Sequence, residues 1–357
     1  MQPNYLCPIN VKILEMNGVK VQMQADGIDI LKQLAAGLGK QLENDRLAMP
    51  EFVGEGFCKA YTLGKGISAI IAQCCYKIDF ALEASDSESP VFILQYDHIV
   101  KCKDQQSEPE TSRVPFTEET SFAFAISNHT HQQPRYKGKL VKSLRIIIRQ
   151  EWLEEIIGNE NLKDILVGIL DTLPGNHLRS PLNAEERLWL REVFIHNNET
   201  AWDDFYSVIR IKLLLEKFIF RLKKQLSQKG IRTFSDHETE QLKKAEKELV
   251  KNFAEPAPTI SFLSKNAGMS PSKFKTDFRQ MFGLPVYRYF QKSRMIYARS
   301  LMVNKKLSIK EVGAMSGYSN MSHFSAAFKK EFGILPKEYL ENFNEQKQGL
   351  SVISYNN

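Results

Sequence analysis

The sequence predicts a multidomain α+β protein with a β-rich N-terminal part, a helical connector and an all-α C-terminal part. Short segments rich in Ile, Val, Phe and Tyr recur between residues 52 and 149, and helical spacing of apolar residues follows. One helical motif then occurs twice near the C-terminus. The 357 residues suffice for two domains and a connector. We place the boundaries at 1–150, 151–235 and 236–342, with a tail over 343–357.

The bulk composition is that of an ordinary globular chain, with 43% hydrophobic and 25% charged residues. No run of about 18 apolar residues occurs, so we expect no membrane span. The N-terminus lacks a charged start followed by an apolar run, so we expect no signal peptide. The five cysteines are odd in number and form no CxxC pair, which disfavours a disulfide framework and favours a reducing cytoplasm.

The N-terminal part carries the pattern of short strands separated by turns. Candidate strands rich in β-branched and aromatic residues span 67–82, 91–100, 121–127 and 140–149. A polar stretch at 103–113 is typical of an exposed loop, and the pattern at 29–42 favours a short helix. Several short strands with turns between them predict a sandwich or barrel-like domain.

After residue 150 the apolar residues take helical spacing. Candidate helices span 152–157, 162–170 and 184–195, and a long one without Pro or Gly spans 205–226. The long helix has apolar residues on more than one side, so it must be covered. It can pack against its own domain or against a second copy in a homodimer, and the sequence leaves both open. A hinge at 227–235 precedes a new helix at 236–253.

The repeated motif spans 267–283 in its first copy and 316–333 in its second. One residue inserted after Ser319 shifts the offset between the copies from 49 to 50. Three phenylalanines at i, i+4 and i+8 recur in both copies: Phe274, Phe278 and Phe282, then Phe324, Phe328 and Phe332. Their spacing predicts a buried stripe along one side of a helix.

Each copy has the start and stop signals of a helix, a glycine turn and a second helix. Ser308 and Glu311 form a capping box, and we expect Ser319 to cap the helix that follows. Ser270 before Pro271 is typical of an N-cap followed by proline at the first helical position. The remaining signals are Thr259 as an N-cap and Gly268, Gly283, Gly317 and Gly333 as closing glycines.

This geometry is a helix-turn-helix, whose second helix can lie in the major groove of DNA. The face opposite the phenylalanines would then read DNA, since Ser and Thr bond base edges, Lys reaches guanine, and Ala and Met touch thymine methyls. The predicted base-facing residues are Ser272, Lys275, Thr276, Met321, Ser322, Ser325 and Ala326. The predicted phosphate contacts are Ser270, Arg279, Ser319, Lys329 and Lys330.

Charge and spacing agree with double-stranded DNA as the partner. Residues 257–340 hold fourteen Lys or Arg against four Asp or Glu, a local charge of +10 in a chain whose total is +6. Such a basic domain is typical of nucleic-acid binding, although a solvated basic face has the same composition. A helix over 286–304 would be about 28 Å long, close to the ~34 Å between successive major-groove faces. One chain could then carry both reading helices.

A family signature runs through the same region. Its positions are Tyr289, Phe290, Arg294, Ala298, Ile309, Val312, Ser316, Gly317, Tyr318, Phe324, Phe328, Lys329, Phe332, Gly333, Pro336 and Tyr339. This pattern, over 238–340, closely resembles the AraC/XylS family of bacterial regulators. The resemblance implies a seven-helix domain that binds promoter DNA and activates transcription through RNA polymerase. Pro285 comes one residue earlier than in the family's FGxxP pattern, but the spacing from Gly283 to Tyr289 is kept in the second copy.

The N-terminal part also carries a resemblance. Residues 54–66 and 144–157, with Trp152 and Leu153, are similar to the sensory half of siderophore-responsive members of the family. This likeness implies that 1–150 is a sensor domain for a small-molecule effector, with an iron chelate as one candidate. No cofactor is implied.

Other candidate sites are weaker. His129 and His131 have the spacing of two ligands on one strand face, but their polar neighbours favour a loop, so we predict no metal site. No catalytic set can be assembled from spacing, so we predict that the chain is not an enzyme. Two alternatives stay open: an N-terminal enzyme with DNA binding attached, and an architectural DNA binder without a ligand.

Overall fold

The structure is a computed structural model of the 357-residue chain. It describes residues 19–21, 26–79, 82–84, 91–101, 120–126, 136–171, 177–179, 182–195, 200–227, 234–302 and 307–341. The predicted loop at 103–113, the histidines His129 and His131, and the predicted tail over 343–357 lie outside these residues.

The described residues form two compact units. The first, here called the sheet unit, comprises the described residues up to 179 together with 189–227. The second, the helical unit, comprises 182–188 and 234–341. Residues 182–188 therefore belong with the C-terminal helices, although the sequence pattern places them in a connector.

The sheet unit confirms the predicted β-rich N-terminal region. Its described strands are β1 Val19–Val21, β2 Arg46–Ala48, β3 Gly54–Gly64, β4 Ile67–Tyr76, β5 Leu82–Ala84, β6 Val91–Lys101, β7 Thr120–Ile126, β8 Lys139–Arg149 and β9 His177–Arg179. Seven of them form one antiparallel sheet in the order β2-β3-β4-β8-β6-β7-β9, while β1 pairs with β5 in parallel. The strand expected over 67–82 is shorter, because its partner β8 begins only at Lys139 and the pairing stops there.

Alternating side chains of the sheet point into two different cores. On one face, helix α1 Gly27–Gly37 buries its apolar side against residues such as Val141 and Ile147. The carboxylate of Asp26 caps this helix by accepting hydrogen bonds from the first backbone N–H groups. The helix predicted over 29–42 thus begins earlier and ends at Gly37.

The opposite face of the sheet meets the long helix α5 Ala201–Ser227. Phe218 packs against Phe122 and Phe124 with tilted rings, whose centroids are 6.0 and 4.7 Å away. At its first turn, Asp204 pairs with the buried Lys59 at 2.6 Å. The helix therefore packs within its own unit along one side. On its other side Trp202, Phe205 and Phe220 are exposed, so a second copy on that side stays a prediction.

Three shorter helices lie among the described residues between 150 and 195: α2 Gln150–Ile157, α3 Leu162–Asp171 and α4 Ala184–Ile195. Their positions match the predicted helical segments within two residues. The division between the two units falls inside α4, after Leu188. This helix is continuous across that point.

Disulfide pairing occurs at one of the described cysteines, although the sequence disfavours a disulfide framework. Cys58 and Cys74 are buried and free, but Cys75 is disulfide-bonded. Among the residues that the structure describes, no helix has the length and apolarity to cross a bilayer. The same residues contain no group of three or more His, Cys, Asp or Glu placed to hold a metal ion.

The helical unit consists of 182–188 and a set of helices around one core. The helices are α6 Asp236–Leu249, α7 Ile260–Asn266, α8 Pro271–Phe282, α9 Val286–Met302, α10 Ile309–Met315 and α11 Met321–Phe332, followed by a short helical stretch at 336–341. The core contains Leu242, Phe253, Phe278, Phe290 and Val312 and reaches every one of these labelled helices, with Phe324 and Phe328 contributed by α11. The predicted helical C-terminal region is confirmed.

A buried polar cluster lies at the centre of this unit. The guanidinium of Arg187 donates hydrogen bonds to the Glu246 carboxylate and to the hydroxyl of Tyr289, the latter at 2.9 Å. The Tyr289 hydroxyl in turn donates to Glu246 at 2.6 Å. Burial alone would lower the pKa of Arg187, but the attraction of Glu246 and Tyr289 raises it instead, so the guanidinium stays charged. Burial also raises the pKa of the Tyr289 hydroxyl.

Candidate nucleic-acid interface

The first helix pair, α7 and α8, has the predicted caps. Thr259 accepts a hydrogen bond from the Phe262 N–H at 3.2 Å, and Ser270 accepts one from the Lys273 N–H at 3.3 Å. Pro271 occupies the first helical position of α8. Gly268 between the helices takes the left-handed conformation, with φ at 61°. These local signals are enough to end α7, turn the chain and start α8.

The second pair, α10 and α11, confirms the capping box and corrects one cap. Ser308 and Glu311 exchange hydrogen bonds at the start of α10, which lower the pKa of the Glu311 carboxyl. The residue that caps α11 is Asn320 rather than Ser319. Its side-chain oxygen accepts from the N–H groups of Ser322 and His323, at 2.8 and 3.2 Å, because the helix begins one residue later than Ser319 would require.

The turn glycine of the second pair has a steric role besides its conformation. Gly317 has φ at 76°, and a Cβ there would lie 2.2 Å from the Phe253 carbonyl oxygen. The guanidinium of Arg294 lies close to the same glycine and over the rings of Phe290 and Tyr318, at 4.7 and 5.4 Å. The turn between α10 and α11 is thus locked against the rest of the unit.

The phenylalanine stripes of α8 and α11 pack against a tyrosine in the same way in both helix pairs. Phe278 meets Tyr289 edge-on with centroids 5.3 Å apart, and Phe328 meets Tyr339 edge-on at 5.8 Å. The stripe residues are buried as predicted, except Phe332, which is only partly buried. The repeated spacing of the sequence therefore corresponds to a repeated packing geometry.

The sides of α8 and α11 opposite these stripes face solvent. Of the predicted base-facing residues, Ser272, Lys275, Thr276, Ser322 and Ala326 are exposed, and Ser325 is half-buried. Of the predicted phosphate contacts, all are exposed: Ser270, Arg279, Ser319, Lys329 and Lys330. The two faces are thus exposed to solvent.

Met321 is placed differently from the expectation. Its side chain is half-buried and packs against the core. Its sulfur lies so close to Gly313 of α10 that a Cβ there would meet it at 2.9 Å. The thioether is therefore part of the contact between α10 and α11, and it lies against the core rather than on the exposed face of α11.

Lysines at the start of α8 divide into two kinds. Lys273 is held by Asp277 on its own helix and by Glu238 of α6, at 2.5 and 2.9 Å, and these bonds raise its pKa. Lys275, in contrast, is exposed, and no ion pair engages it within the part of the chain that the structure describes. Lys273 positions α8, whereas Lys275 is available to a ligand.

Comparison with known proteins agrees with this geometry. Residues 263–342 match the family model described as a helix-turn-helix domain. Over 167 residues the chain is 25% identical to the HTH-type transcriptional regulator ExsA of Pseudomonas aeruginosa, a match that covers 46% of this chain and 57% of that protein. Over 138 residues it is 28% identical to the virulence regulon transcriptional activator VirF of Yersinia enterocolitica, covering 38% and 49%. The helical unit therefore carries a helix-turn-helix domain that is similar to those of bacterial transcriptional regulators of the AraC/XylS type.

The AraC/XylS similarity is partial in length. The chain spans about half the length of these curated relatives. Among solved structures, ToxT of Vibrio cholerae O395 matches over 78% of this chain and 98% of its own, at 13% identity and a TM-score of 0.28.

The residues that sequence reasoning missed are those that tie distant helices of the helical unit together. Arg294 of α9 is part of the signature pattern, but only the structure shows what it contacts. Its guanidinium lies over the ring of Tyr318 in the turn before α11 and donates a hydrogen bond to the Glu255 carbonyl oxygen.

Arg187 was missed because it lies outside the family signature. The sequence offers one indication that Arg187 is buried. It is a charged residue beside Ala184 and Leu188 on the apolar side of a predicted helix, and both of these residues are in the core.

Proposed function

We propose that the chain is a sequence-specific DNA-binding transcription activator that lays α8 and α11 in successive major grooves. One observation supports this most. The same helix pair occurs twice in one compact unit, and each copy exposes a polar or cationic face on its second helix. A helix-turn-helix uses that face for DNA. Each pair is thereby proposed to act as a helix-turn-helix unit.

Helix α9 supports the spacing of the two units. Its 17 residues, Val286–Met302, give a rod about 25 Å long. Successive major-groove faces are ~34 Å apart, and the loops at either end of α9 add to its reach. A single chain could then contact two half-sites on one side of the duplex.

The exposed side chains are proposed to have two roles, binding the phosphate backbone and reading the bases. Arg279, Lys329 and Lys330 are proposed to bind phosphates, which fixes register without reading bases. Lys275 is proposed to reach guanine. The Thr276 hydroxyl donates to the Ser272 carbonyl oxygen at 3.1 Å, so it is left to accept from a base amino group.

The second reading face offers less hydrogen bonding. With Met321 packed inward, it presents Ser322, Ser325 and Ala326 toward a groove. A serine can bond either kind of base edge, and alanine can touch a thymine methyl. We therefore expect the first half-site to contribute more base specificity than the second.

The sheet unit is proposed to be a barrel-like sensor for a small-molecule effector. Between α1 and the sheet it encloses a cavity of about 50 Å³, lined by apolar side chains with Tyr136, Ser143 and Arg145. Organic ligands usually occupy ~300–1,000 Å³, so an iron chelate would require the cavity to open. A thermal-shift screen of metabolites and iron chelates on the full chain tests the effector. No shift with any compound would favour an architectural binder.

The remaining partners are proposals of the same kind. We expect the activator to contact RNA polymerase, to work in the cytoplasm, to catalyse no reaction and to need no resident cofactor. A homodimer would use the exposed side of α5, where Trp202, Phe205 and Phe220 lie. Sedimentation of the full chain at micromolar concentration checks the dimer directly.

DNA binding itself is tested by selecting duplexes from a random-sequence pool with the full chain and measuring affinity against salt. Three cationic phosphate contacts predict a slope of log affinity against log salt of about −2.7 or steeper. A flat dependence, or no enrichment of any sequence, would contradict the proposal.

A further inference from the structure

Residues 182–188 form a short segment, here called the strap, that lies some fifty residues before α6 in the sequence. The structure nevertheless includes it in the helical unit. Ala184 and Leu188 are buried in the same core as the helices of the AraC/XylS-type domain. Asn183 fixes the strap as the start of α4, because its side chain caps the N–H groups of Glu185 and Glu186, both at 3.0 Å.

The strap makes a buried contact with two helices of this domain. Arg187, whose side chain is 6% exposed, binds Glu246 of α6 and Tyr289 of α9. A third bond joins its guanidinium to the Leu182 carbonyl oxygen at 2.7 Å, so the strap also closes on itself. The strap therefore holds the start of α9 against α6.

A second ionic contact leads from the strap to a reading helix. Lys292 of α9 lies 3.0 Å from Glu185 of the strap and 3.7 Å from Glu331 of α11. All three side chains are between 24% and 29% exposed. One ammonium group thus lies between the strap and the helix proposed to read the second half-site.

The first reading helix is held by a different pair. Lys273 of α8 binds Glu238 of α6 at 2.9 Å, and no residue of the strap takes part. The two reading helices therefore depend on separate carboxylates of similar exposure. This separation allows the contribution of the strap to be measured at one half-site while the other serves as a reference.

The geometry points to the strap as a positioning element for α11: Glu185, through Lys292, sets how the second reading helix meets DNA. This inference rests on the proposed function, since it assumes that α11 contacts one half of the binding site. Glu185 itself touches no DNA. Removing its charge leaves the Lys292 ammonium with Glu331 as its one ionic partner among the described residues. The ammonium is then no longer held between two carboxylates, and α11 is less firmly placed.

The test uses full-length chains and a duplex selected by the wild-type protein from a random-sequence pool. The half of that duplex whose base preference changes with Ser322→Ala is assigned to α11. Affinities are then measured for the intact duplex and for duplexes with either half scrambled. Glu185→Gln is compared with Glu341→Gln, which removes an exposed carboxylate paired with Lys337 in the same unit.

Glu185→Gln should weaken binding of the intact duplex by about two- to five-fold, as expected for a partly exposed ion pair. The loss should vanish when the α11 half is scrambled, and Lys292→Met should abolish any further effect of Glu185→Gln. Glu238→Gln should act on the other half, and Glu341→Gln on neither. The melting temperature should fall no further for Glu185→Gln than for Glu341→Gln, which also removes an ion pair, and this separates positioning from folding.

An equal loss with either half scrambled would overturn the inference. So would a loss that persists in the Lys292→Met background, or the absence of any difference from Glu341→Gln. If the wild-type chain selects no duplex at all, the proposed function fails instead, and the two failures are thereby told apart.

Discussion

Replacing Arg187 by methionine removes the only cation of the buried cluster in the helical unit, as far as the structure describes it. Methionine is shorter, but it keeps a flexible, unbranched apolar stem and carries no charge. The carboxylate of Glu246, 5% exposed, is then left with the hydroxyl of Tyr289 as its partner within the cluster. Breaking a buried ion pair on one side typically costs about 3–5 kcal/mol. The total stability of a domain is ~5–15 kcal/mol, so the helical unit should become marginal.

Denaturant unfolding of the full chain, with hydrogen exchange in peptides of the helical unit as the readout, measures this loss of stability. Peptides from α6 and α9 should lose protection together, because Arg187 joins these two helices. The double variant Arg187→Met with Glu246→Met should recover most of the stability, since it leaves no unpaired buried charge. A loss below ~1 kcal/mol, typical of an exposed pair, would refute the reasoning, as would a double variant no better than Arg187→Met.

Two further predictions compare matched pairs of substitutions. Gly283→Ala should destabilise the helical unit by about 1–2 kcal/mol, since φ is 78° but space is open; Gly317→Ala should cost more, because its Cβ would meet the Phe253 carbonyl oxygen at 2.2 Å. Thermal unfolding checks this, and equal costs would contradict it. Lys275→Ala should change base preference at one position, worth about 1–3 kcal/mol, whereas Lys329→Ala should weaken all duplexes alike. Uniform losses for both, in a competition assay, would remove these roles.

Much of the helical unit could be predicted because its signals are local. Caps, closing glycines and the spacing of phenylalanines act within one or two helical turns, so the sequence shows them directly. Gly268 and Gly317 adopt the expected left-handed conformation, and Ser308 and Ser270 cap the expected helices. The sequence predicts Ser319 as the N-cap of α11, whereas the structure has Asn320 in that position. This is a one-residue error, because two neighbouring residues can both cap a helix and the boundary depends on which of them does.

Contacts between distant residues could not be predicted in the same way. Arg187 and Tyr289 are 102 positions apart, and neither has a sequence neighbour that indicates the other. Residues 182–188 look like any amphipathic start of a helix until their tertiary partners are known. The packing of Met321 against Gly313 has the same origin, since a methionine suits both a groove and a core.

The sheet unit was predictable in its content and less so in its pairing. Apolar and β-branched segments indicate strands, and β6 and β8 lie where their patterns place them. In the sheet, β8 lies between β4 and β6, so strands that are neighbours in the sheet are not consecutive in the sequence. The alternation of apolar and polar residues along a strand does not indicate this order. The disulfide at Cys75 was likewise not indicated by cysteine spacing.

Hydroxyl-radical footprinting of the full chain on its selected duplex tests the central claim most directly. Two reading helices joined by α9 should protect two patches on one face of the duplex, about 10–10.5 base pairs apart. Protection of a single patch, or of patches on opposite faces, would contradict the placement of α8 and α11 in successive major grooves.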